Sequence, residues 1–142
     1  MEIAEVNPLE AWEVLQNDPA SVLVDVRTIA EWDYVGEPVL TSIDKELLKV
    51  EWMEFPEMTR NTFFAEEVFS QLSNDTTTVF LICRSGRRSL NAARCLAEKI
   101  AEKGLDIKCV NIAEGFEGEP DEHRHRGTLN GWKVRGLPWK QA

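Results

Sequence analysis

The sequence predicts an α/β fold built on a central, mainly parallel β-sheet. Short runs rich in apolar and β-branched residues alternate with segments of helical periodicity along the 142-residue chain. Such alternation is typical of βαβ units. The runs at residues 22–26 and 78–82 are nearly continuous in apolar residues, as expected for central strands that are buried on both faces. The length is that of one ordinary domain, so we expect residues 1–142 to form a single domain.

Three more segments are predicted to be strands. Residues 107–112 have the composition of a third buried strand, whereas residues 2–6 and 39–43 are weaker candidates. Together with the two central runs, these segments give the strand content that a small α/β domain requires.

Helices are predicted between the strands. Residues 8–15 follow Asn7, a residue type that caps helix N-termini. Residues 61–72 place their apolar side chains on one face. Residues 89–103 carry the most regular apolar stripe, and Gly104 suits the C-terminal end of that helix.

The composition excludes several classes of function. A formal net charge of −9 and a pI of about 4.8 argue against binding to nucleic acid or to an anionic membrane surface. The chain starts without the basic and apolar regions of a secretory signal. Its three cysteines form neither a disulfide framework nor a zinc-binding pattern. We therefore expect a cytoplasmic protein with free thiols and without a metal or other cofactor.

One segment, Cys-Arg-Ser-Gly-Arg-Arg-Ser at residues 83–89, points to chemistry. It lies between a predicted strand and the longest predicted helix, at the sheet edge where parallel α/β folds bind ligands. Backbone N–H groups at a helix N-terminus attract anions. With three nearby arginines they favour the thiolate of Cys83, which is the nucleophilic form of a cysteine. The same surroundings suit an anionic oxyacid such as thiosulfate and a persulfide, and Gly86 leaves room for the bound group.

The alternative reading of Cys83 is a buried structural cysteine, because free cysteine is among the most buried residue types. An inert core cysteine has no need of a glycine-containing, arginine-rich loop at the start of a helix. The sequence therefore favours the reactive cysteine.

These motifs resemble those of the rhodanese family. Its active loop has six residues and begins with the catalytic cysteine, and residues 83–88 match it. Residues 23–27, followed by Glu31, resemble the family's Asp-x-Arg signature with a downstream glutamate. Residues 110–116 and 136–138 resemble the final strand with its glycine turn and the closing segment. The motifs follow one another in the family's order.

The resemblance implies a five-stranded parallel sheet flanked by helices on both faces, with the core signature at about residues 15–140. It implies a sulfurtransferase that moves sulfane sulfur from a small anionic donor such as thiosulfate to a thiol or protein acceptor, through a persulfide on Cys83. The substrate-binding residues that it implies are Arg84, Ser85, Gly86, Arg87, Arg88 and Ser89.

Asp25, Arg27 and Glu31 are predicted to support the site rather than to touch substrate. They follow a buried strand, where charged side chains need partners. We expect the three side chains to form one ion-pair network that fixes the neighbouring loop.

Two other functions remain open. The first is a rhodanese-fold interaction or sulfur-relay module with little thiosulfate activity. The second is a phosphatase or arsenate reductase, since related phosphatases have a C-x5-R loop that accommodates a tetrahedral phosphate. Cys83 and Arg88 have the shorter C-x4-R spacing, which favours a single sulfur atom.

Several segments depart from the family pattern. Residues 45–60 and 117–130 are longer than usual. The basic residues 123–126 in the second insertion either steer an anion or partner toward the site or belong to a solvated loop. Cys95 and Cys109 are candidates for a resolving thiol, with burial in the core as the simpler reading.

Overall fold

The computed structural model describes residues 2–142 of the chain. The helices are α1 (Pro8–Asn17), α2 (Ile29–Tyr34), α3 (Phe64–Gln71) and α4 (Arg87–Glu102), with one 3-10 turn at Thr41–Ile43. The strands are β1 (Ala4–Val6), β2 (Ser21–Asp25), β3 (Glu37–Pro38), β4 (Leu48–Lys49), β5 (Met53–Glu54), β6 (Thr59–Arg60), β7 (Thr78–Ile82), β8 (Lys108–Ile112) and β9 (Trp139–Lys140).

The main sheet has five strands in the order β1-β8-β7-β2-β4, and all of its pairs are parallel. β7 lies at its centre, in register with β2 from Ser21↔Thr78 to Asp25↔Ile82. The carboxyl ends of β2, β7 and β8 therefore meet at one edge of the sheet. Two short antiparallel pairs, β3 with β9 and β5 with β6, lie outside the main sheet. The predicted fold class is confirmed.

Both faces of the sheet are buried because side chains alternate along each strand. On β7, Val79 and Leu81 belong to the core cluster that includes residues of α3 and α4. Phe80 and Ile82 belong to a second cluster, which contains residues of α1 and the fully buried Trp132 of the C-terminal segment. Continuous apolar runs in the central strands thus reflect burial on both sides.

Most predicted strands are present, but the one predicted at residues 39–43 is wrong. There the Leu40 carbonyl accepts hydrogen bonds from the N–H groups of Ile43 and Lys45, so the chain turns instead of extending. The fifth strand is β4, which consists of two residues and pairs with the end of β2. Two residues are too few to show a periodic pattern.

The predicted helices are present with shifted ends. α1 begins as predicted, with a capping box between Asn7 and Glu10, and α4 starts two residues earlier than predicted. α3 starts only at Phe64. The short α2 was not predicted, although Thr28 and Glu31 form a capping box at its start.

None of the helices in residues 2–142 is long and apolar enough to cross a membrane.

Candidate active site

Cys83 lies directly after the carboxyl end of the central strand β7 and is buried. The chain turns at Gly86, which has a φ of 108°, and enters α4 at Arg87. The Gly86 N–H donates a hydrogen bond to Cys83 Sγ over 3.1 Å. The N-terminal end of α4 carries no side-chain cap, so its backbone N–H groups stay available to an anion at the sulfur.

A second turn, which follows β8, supports the cysteine loop through hydrogen bonds to its backbone. The N–H of Phe116 donates to the Cys83 carbonyl over 2.8 Å, and the N–H groups of Glu117 and Gly118 donate to the Arg84 carbonyl. A Cβ atom on Gly115 would lie 2.5 Å from the Cys83 carbonyl oxygen, closer than any real contact. The glycine turn after β8 therefore fixes the backbone of the cysteine loop.

Ser89 and Asn111 extend the site behind the sulfur. Ser89 Oγ lies 3.2 Å from Cys83 Sγ and 2.5 Å from Asn111 Oδ1. Asn111 Nδ2 donates to Glu5 Oε2 over 2.7 Å and to the Gly86 carbonyl over 3.0 Å. Ser89 and Asn111 are fully buried, whereas Glu5 is exposed on the edge strand β1.

The three arginines of the loop have different surroundings. Arg84 and Arg87 are exposed, whereas Arg88 is half-buried and forms a two-pronged ion pair with Glu31 over 2.7 and 2.9 Å. Burial disfavours ionisation of Glu31, but the hydrogen bonds and charge of Arg88 outweigh it and hold the pKa of Glu31 below its usual value. The hydrogen bond and charge of Glu31 likewise raise the pKa of Arg88 against the effect of burial. Arg84 and Arg87 are therefore the more accessible cations for an incoming anion.

Asp25 and Arg27 form a separate, fully buried ion pair. Arg27 Nη2 and Nε lie 2.7 and 2.9 Å from the Asp25 carboxylate, and Nη2 also donates to the Gly36 carbonyl. Burial lowers the pKa of Arg27, but the charge and hydrogen bonds of Asp25, together with the charges of Glu31 and Glu117, raise this pKa overall. The guanidinium stacks over the Phe116 ring at 4.4 Å. Through the contact with Phe116, the Asp25–Arg27 pair connects the end of β2 with the turn that supports the cysteine loop.

The expected network of Asp25, Arg27 and Glu31 is thus divided into two ion pairs. Asp25 holds Arg27, while Glu31 reaches the cysteine loop through Arg88. Asn111 and Glu5 were not predicted as site residues, although Asn111 is the one polar residue in the buried part of β8 after Lys108, which was a usable signal.

The insertion at residues 117–130 is anchored to the site at its base and exposed beyond it. Asp121 accepts hydrogen bonds from the N–H groups of His123 and His125 and from the Thr128 hydroxyl. Among these donors, the His125 N–H lowers the pKa of Asp121 most strongly. The loop is therefore ordered by its own hydrogen bonds and displays its charges to solvent.

The other two cysteines lack the surroundings of Cys83. Cys109 is buried in the core, and burial raises the pKa of its thiol to about 12. Cys95 is half-buried on α4 and accepts a hydrogen bond from Arg60 Nη2 over 3.3 Å. Within residues 2–142, no group of His, Cys, Asp and Glu side chains is arranged to hold a metal ion.

Comparison with known proteins identifies the family of this chain. The family model described as the Rhodanese-like domain matches residues 7–118. The chain belongs to the rhodanese-like family.

Two relatives match nearly the whole chain. The uncharacterized RP600 homolog of Rickettsia rickettsii is 34% identical over an alignment of 142 positions, which covers 99% of each protein. The crystal structure of Rv0390 from M. tuberculosis is 40% identical, covers 100% of both chains and has a TM-score of 0.86. The chain therefore shares its fold with a solved structure of matching length.

A more distant solved structure shares the rhodanese-like fold. The polysulfide-sulfur transferase homodimer from Wolinella succinogenes is 20% identical, with a TM-score of 0.56, and the match covers 99% of this chain and 80% of that one.

Proposed function

We propose that this rhodanese-like protein is a sulfurtransferase that carries sulfane sulfur as a persulfide on Cys83. The observation that carries the proposal is the position of the sulfur. Cys83 follows the central strand β7, and its Sγ accepts a hydrogen bond from the Gly86 N–H over 3.1 Å at the N-terminal end of α4, which carries no side-chain cap. Backbone donors that converge on one atom stabilise negative charge there without having to reorganise.

The proposed reaction has two displacement steps. The Cys83 thiolate attacks the outer sulfur of thiosulfate, a new S–S bond forms, and sulfite leaves with the electron pair of the broken bond. A thiophilic acceptor then attacks the terminal sulfur of the persulfide, takes it, and releases the thiolate. No electrons are gained or lost overall, so the reaction needs no redox cofactor.

Charge around the loop supports an anionic donor. Arg84 and Arg87 are exposed beside Cys83, and exposed cations accelerate the arrival of an anion even in a protein of net charge −9. Arg88 is committed to Glu31, so its main role is to hold the loop in place. Thiosulfate is the donor that we propose, with polysulfide as a second anionic donor to test.

The spacing of the loop argues against phosphate chemistry. Four residues separate Cys83 from Arg88, one fewer than in the C-x5-R loop that accommodates a tetrahedral phosphate. Hydrolysis of an aryl phosphate that disappears in Cys83→Ser would overturn this assignment.

A sulfur-relay module that serves one protein partner is the second candidate. The observation that favours it is the insertion, whose Glu117 and Gly118 N–H groups bind the carbonyl of the loop residue Arg84. This arrangement brings an exposed, charged loop next to the reactive cysteine. A partner that docks there would accept or deliver sulfur directly, in the cytoplasm, with no role for nucleic acid or membrane.

Intact-mass measurement tests the proposal. We expect thiosulfate to add about 32 Da, one sulfur atom, to the wild type and nothing to Cys83→Ser. Cyanide should then remove the adduct as thiocyanate over repeated turnovers. An adduct that forms but turns over slowly with thiosulfate and cyanide would favour the relay module. An unmodified wild-type protein after exposure to both thiosulfate and polysulfide would refute both candidates.

A further inference from the structure

The hydroxyl of Ser89 lies between two groups that compete for its single proton. Cys83 Sγ is 3.2 Å away on one side and Asn111 Oδ1 is 2.5 Å away on the other. A hydroxyl donates one hydrogen bond and accepts others. The direction of the Ser89 proton therefore determines what Cys83 faces, either a donor or a lone pair.

The orientation of Asn111 decides this competition. Its Nδ2 atom contacts the Glu5 carboxylate and the Gly86 carbonyl, and both of these groups only accept hydrogen bonds. The amide nitrogen must therefore face them, which leaves Oδ1 toward Ser89. Because Oδ1 cannot donate, Ser89 donates to Asn111 and turns a lone pair toward the sulfur.

We infer that Asn111, held by Glu5, is a positioning residue that directs the Ser89 proton away from Cys83 and so disfavours the free thiolate relative to the sulfur-loaded form. The inference rests on the proposed sulfur transfer. A thiol can donate its S–H to the lone pair of Ser89. A thiolate has no proton to donate. If Ser89 donated its proton to the thiolate instead, Ser89 Oγ and Asn111 Oδ1 would face each other as two hydrogen-bond acceptors 2.5 Å apart.

The persulfide escapes this penalty. Once Cys83 carries a second sulfur, the negative charge resides on the terminal atom and the inner Sγ is neutral. Ser89 then keeps its bond to Asn111 at no cost. The arrangement thus protects the resting cysteine from indiscriminate reaction and favours the loaded state.

The charged groups near the loop other than Glu5 have no hydrogen bond to Asn111: Arg84 and Arg87 are exposed to solvent, and the remaining charges form ion pairs. Arg88 pairs with Glu31 from α2, and Arg27 pairs with Asp25 at the end of β2. Glu5 on β1 contacts only the far side of the Asn111 amide. These charges stay in place when Asn111 is replaced, so the effect of Asn111 can be isolated.

Alkylation of Cys83 across a pH range tests the inference on the full chain, with peptide mapping to separate Cys83 from Cys95 and Cys109. The test variant is Asn111→Leu, which keeps the volume and lets Ser89 donate to the sulfur. One hydrogen bond to a charged acceptor increases the thiolate population about tenfold, which moves the pH midpoint of alkylation down by about one unit. Since nucleophilicity falls with basicity, the rate should rise about threefold at low pH and fall about threefold on the high-pH plateau.

The crossing of the two pH profiles is the decisive feature. A variant that merely loosens the loop would react faster at every pH, and that result would overturn the inference. The Ser89→Ala background is the matched control, because without the hydroxyl the replacement of Asn111 should change nothing. A crossing that persists in Ser89→Ala would also refute it.

Glu5 provides variants that leave the loop untouched. Glu5→Ala removes one of the two anchors of the Asn111 amide and should produce the same crossing with a smaller amplitude. Glu5→Gln keeps an acceptor for Nδ2 and should resemble the wild type. These variants keep the inference testable if Asn111→Leu fails to fold, and an unchanged profile in Glu5→Ala would count against it.

A second measurement separates this inference from the proposed function. At a fixed ratio of thiosulfate to sulfite, above the alkylation midpoint, the ratio of persulfide to free thiolate in Asn111→Leu should fall about tenfold. If alkylation profiles cross but thiosulfate never loads the wild type, the proton-directing role stands and sulfur transfer from thiosulfate fails. If thiosulfate loads the wild type but the alkylation profiles of the variant and the wild type coincide, sulfur transfer stands and the proton-directing role fails.

Discussion

Replacement of Glu31 by Gln tests whether the ion pair with Arg88 holds the cysteine loop. Gln keeps the shape of the side chain and the capping contact with Thr28, since Glu and Gln serve equally in a capping box. The negative charge is lost, and so is one of the two acceptors for Arg88, because the amide nitrogen of Gln cannot accept a hydrogen bond. The side chains of Arg88 and Glu31 are 24% and 19% exposed and meet over 2.7 Å, so the pair is better shielded than a surface ion pair.

The expected loss of stability follows from this geometry. A hydrogen-bonded contact to a charged group contributes about 2 kcal/mol when it is largely shielded. With an m-value of about 2 kcal/mol/M, the urea midpoint of Glu31→Gln should fall by about 1 M at pH 7. Tryptophan fluorescence follows the transition, because Trp132 is fully buried. Glu102→Gln is the matched control, since its pair with Lys99 is exposed and 3.6 Å long, and we expect no measurable change.

The pH dependence gives a second check on the same pair. The pKa of Glu31 is lowered in the folded protein from its ordinary value of 4.5. The stabilisation is therefore present above pH 4.5 and is lost as the pH falls through the lower folded-state value. The difference between Glu31→Gln and the wild type should shrink in that acidic window. Equal destabilisation by Glu31→Gln and Glu102→Gln at pH 7, or a difference that persists unchanged in acid, would refute the reasoning.

Three further outcomes are expected. Gly115→Ala should lower the unfolding free energy by at least about 3 kcal/mol, because the new Cβ would lie 2.5 Å from the Cys83 carbonyl oxygen. Gly104 has a similar positive φ but open space around it, so Gly104→Ala should cost about 1 kcal/mol. Equal urea midpoints of the two variants would contradict this. Cys109 should stay unmodified by iodoacetamide in the native protein at pH 8 and react after denaturation, because burial raises the pKa of its thiol to about 12. Labelling of Cys109 in the native protein, detected by peptide mapping, would count against this prediction. Asn7→Ala should cost about 1 kcal/mol through loss of the capping box, and an unchanged thermal midpoint would disprove that role.

The central elements of the fold were predictable because each carries its own signal. β2, β7 and β8 are short apolar runs, and α4 has a regular apolar stripe that ends near Gly104. β4 carries no such signal, since its two residues become a strand only by pairing with the end of β2. α2 has six residues and buries none of them, so no apolar period marks it.

The site was predictable only where it is continuous in sequence. Residues 83–89 by themselves predict a reactive cysteine, because they contain a glycine and three arginines and lie between a strand and a helix. Asn111 and Glu5 join it through the register of β1 with β8, in which these two residues are direct partners. The choice of Arg88 as the partner of Glu31 depends on how α2 packs against the loop. Such pairings are properties of the tertiary structure.

The residues that the family model matches do not include every residue that contacts the site or completes the core. The match at residues 7–118 omits Glu5, which orients Asn111, and Trp132, which fills the core beside Trp12. A protein engineer who grafted only the matched stretch onto another scaffold would transfer Cys83, Ser89 and Asn111 but only one of the two anchors of the Asn111 amide. If the proton-directing role that we infer for Asn111 is right, part of what controls the thiol lies outside the stretch that carries it, and Glu5 offers a way to adjust this control without changing the cysteine loop.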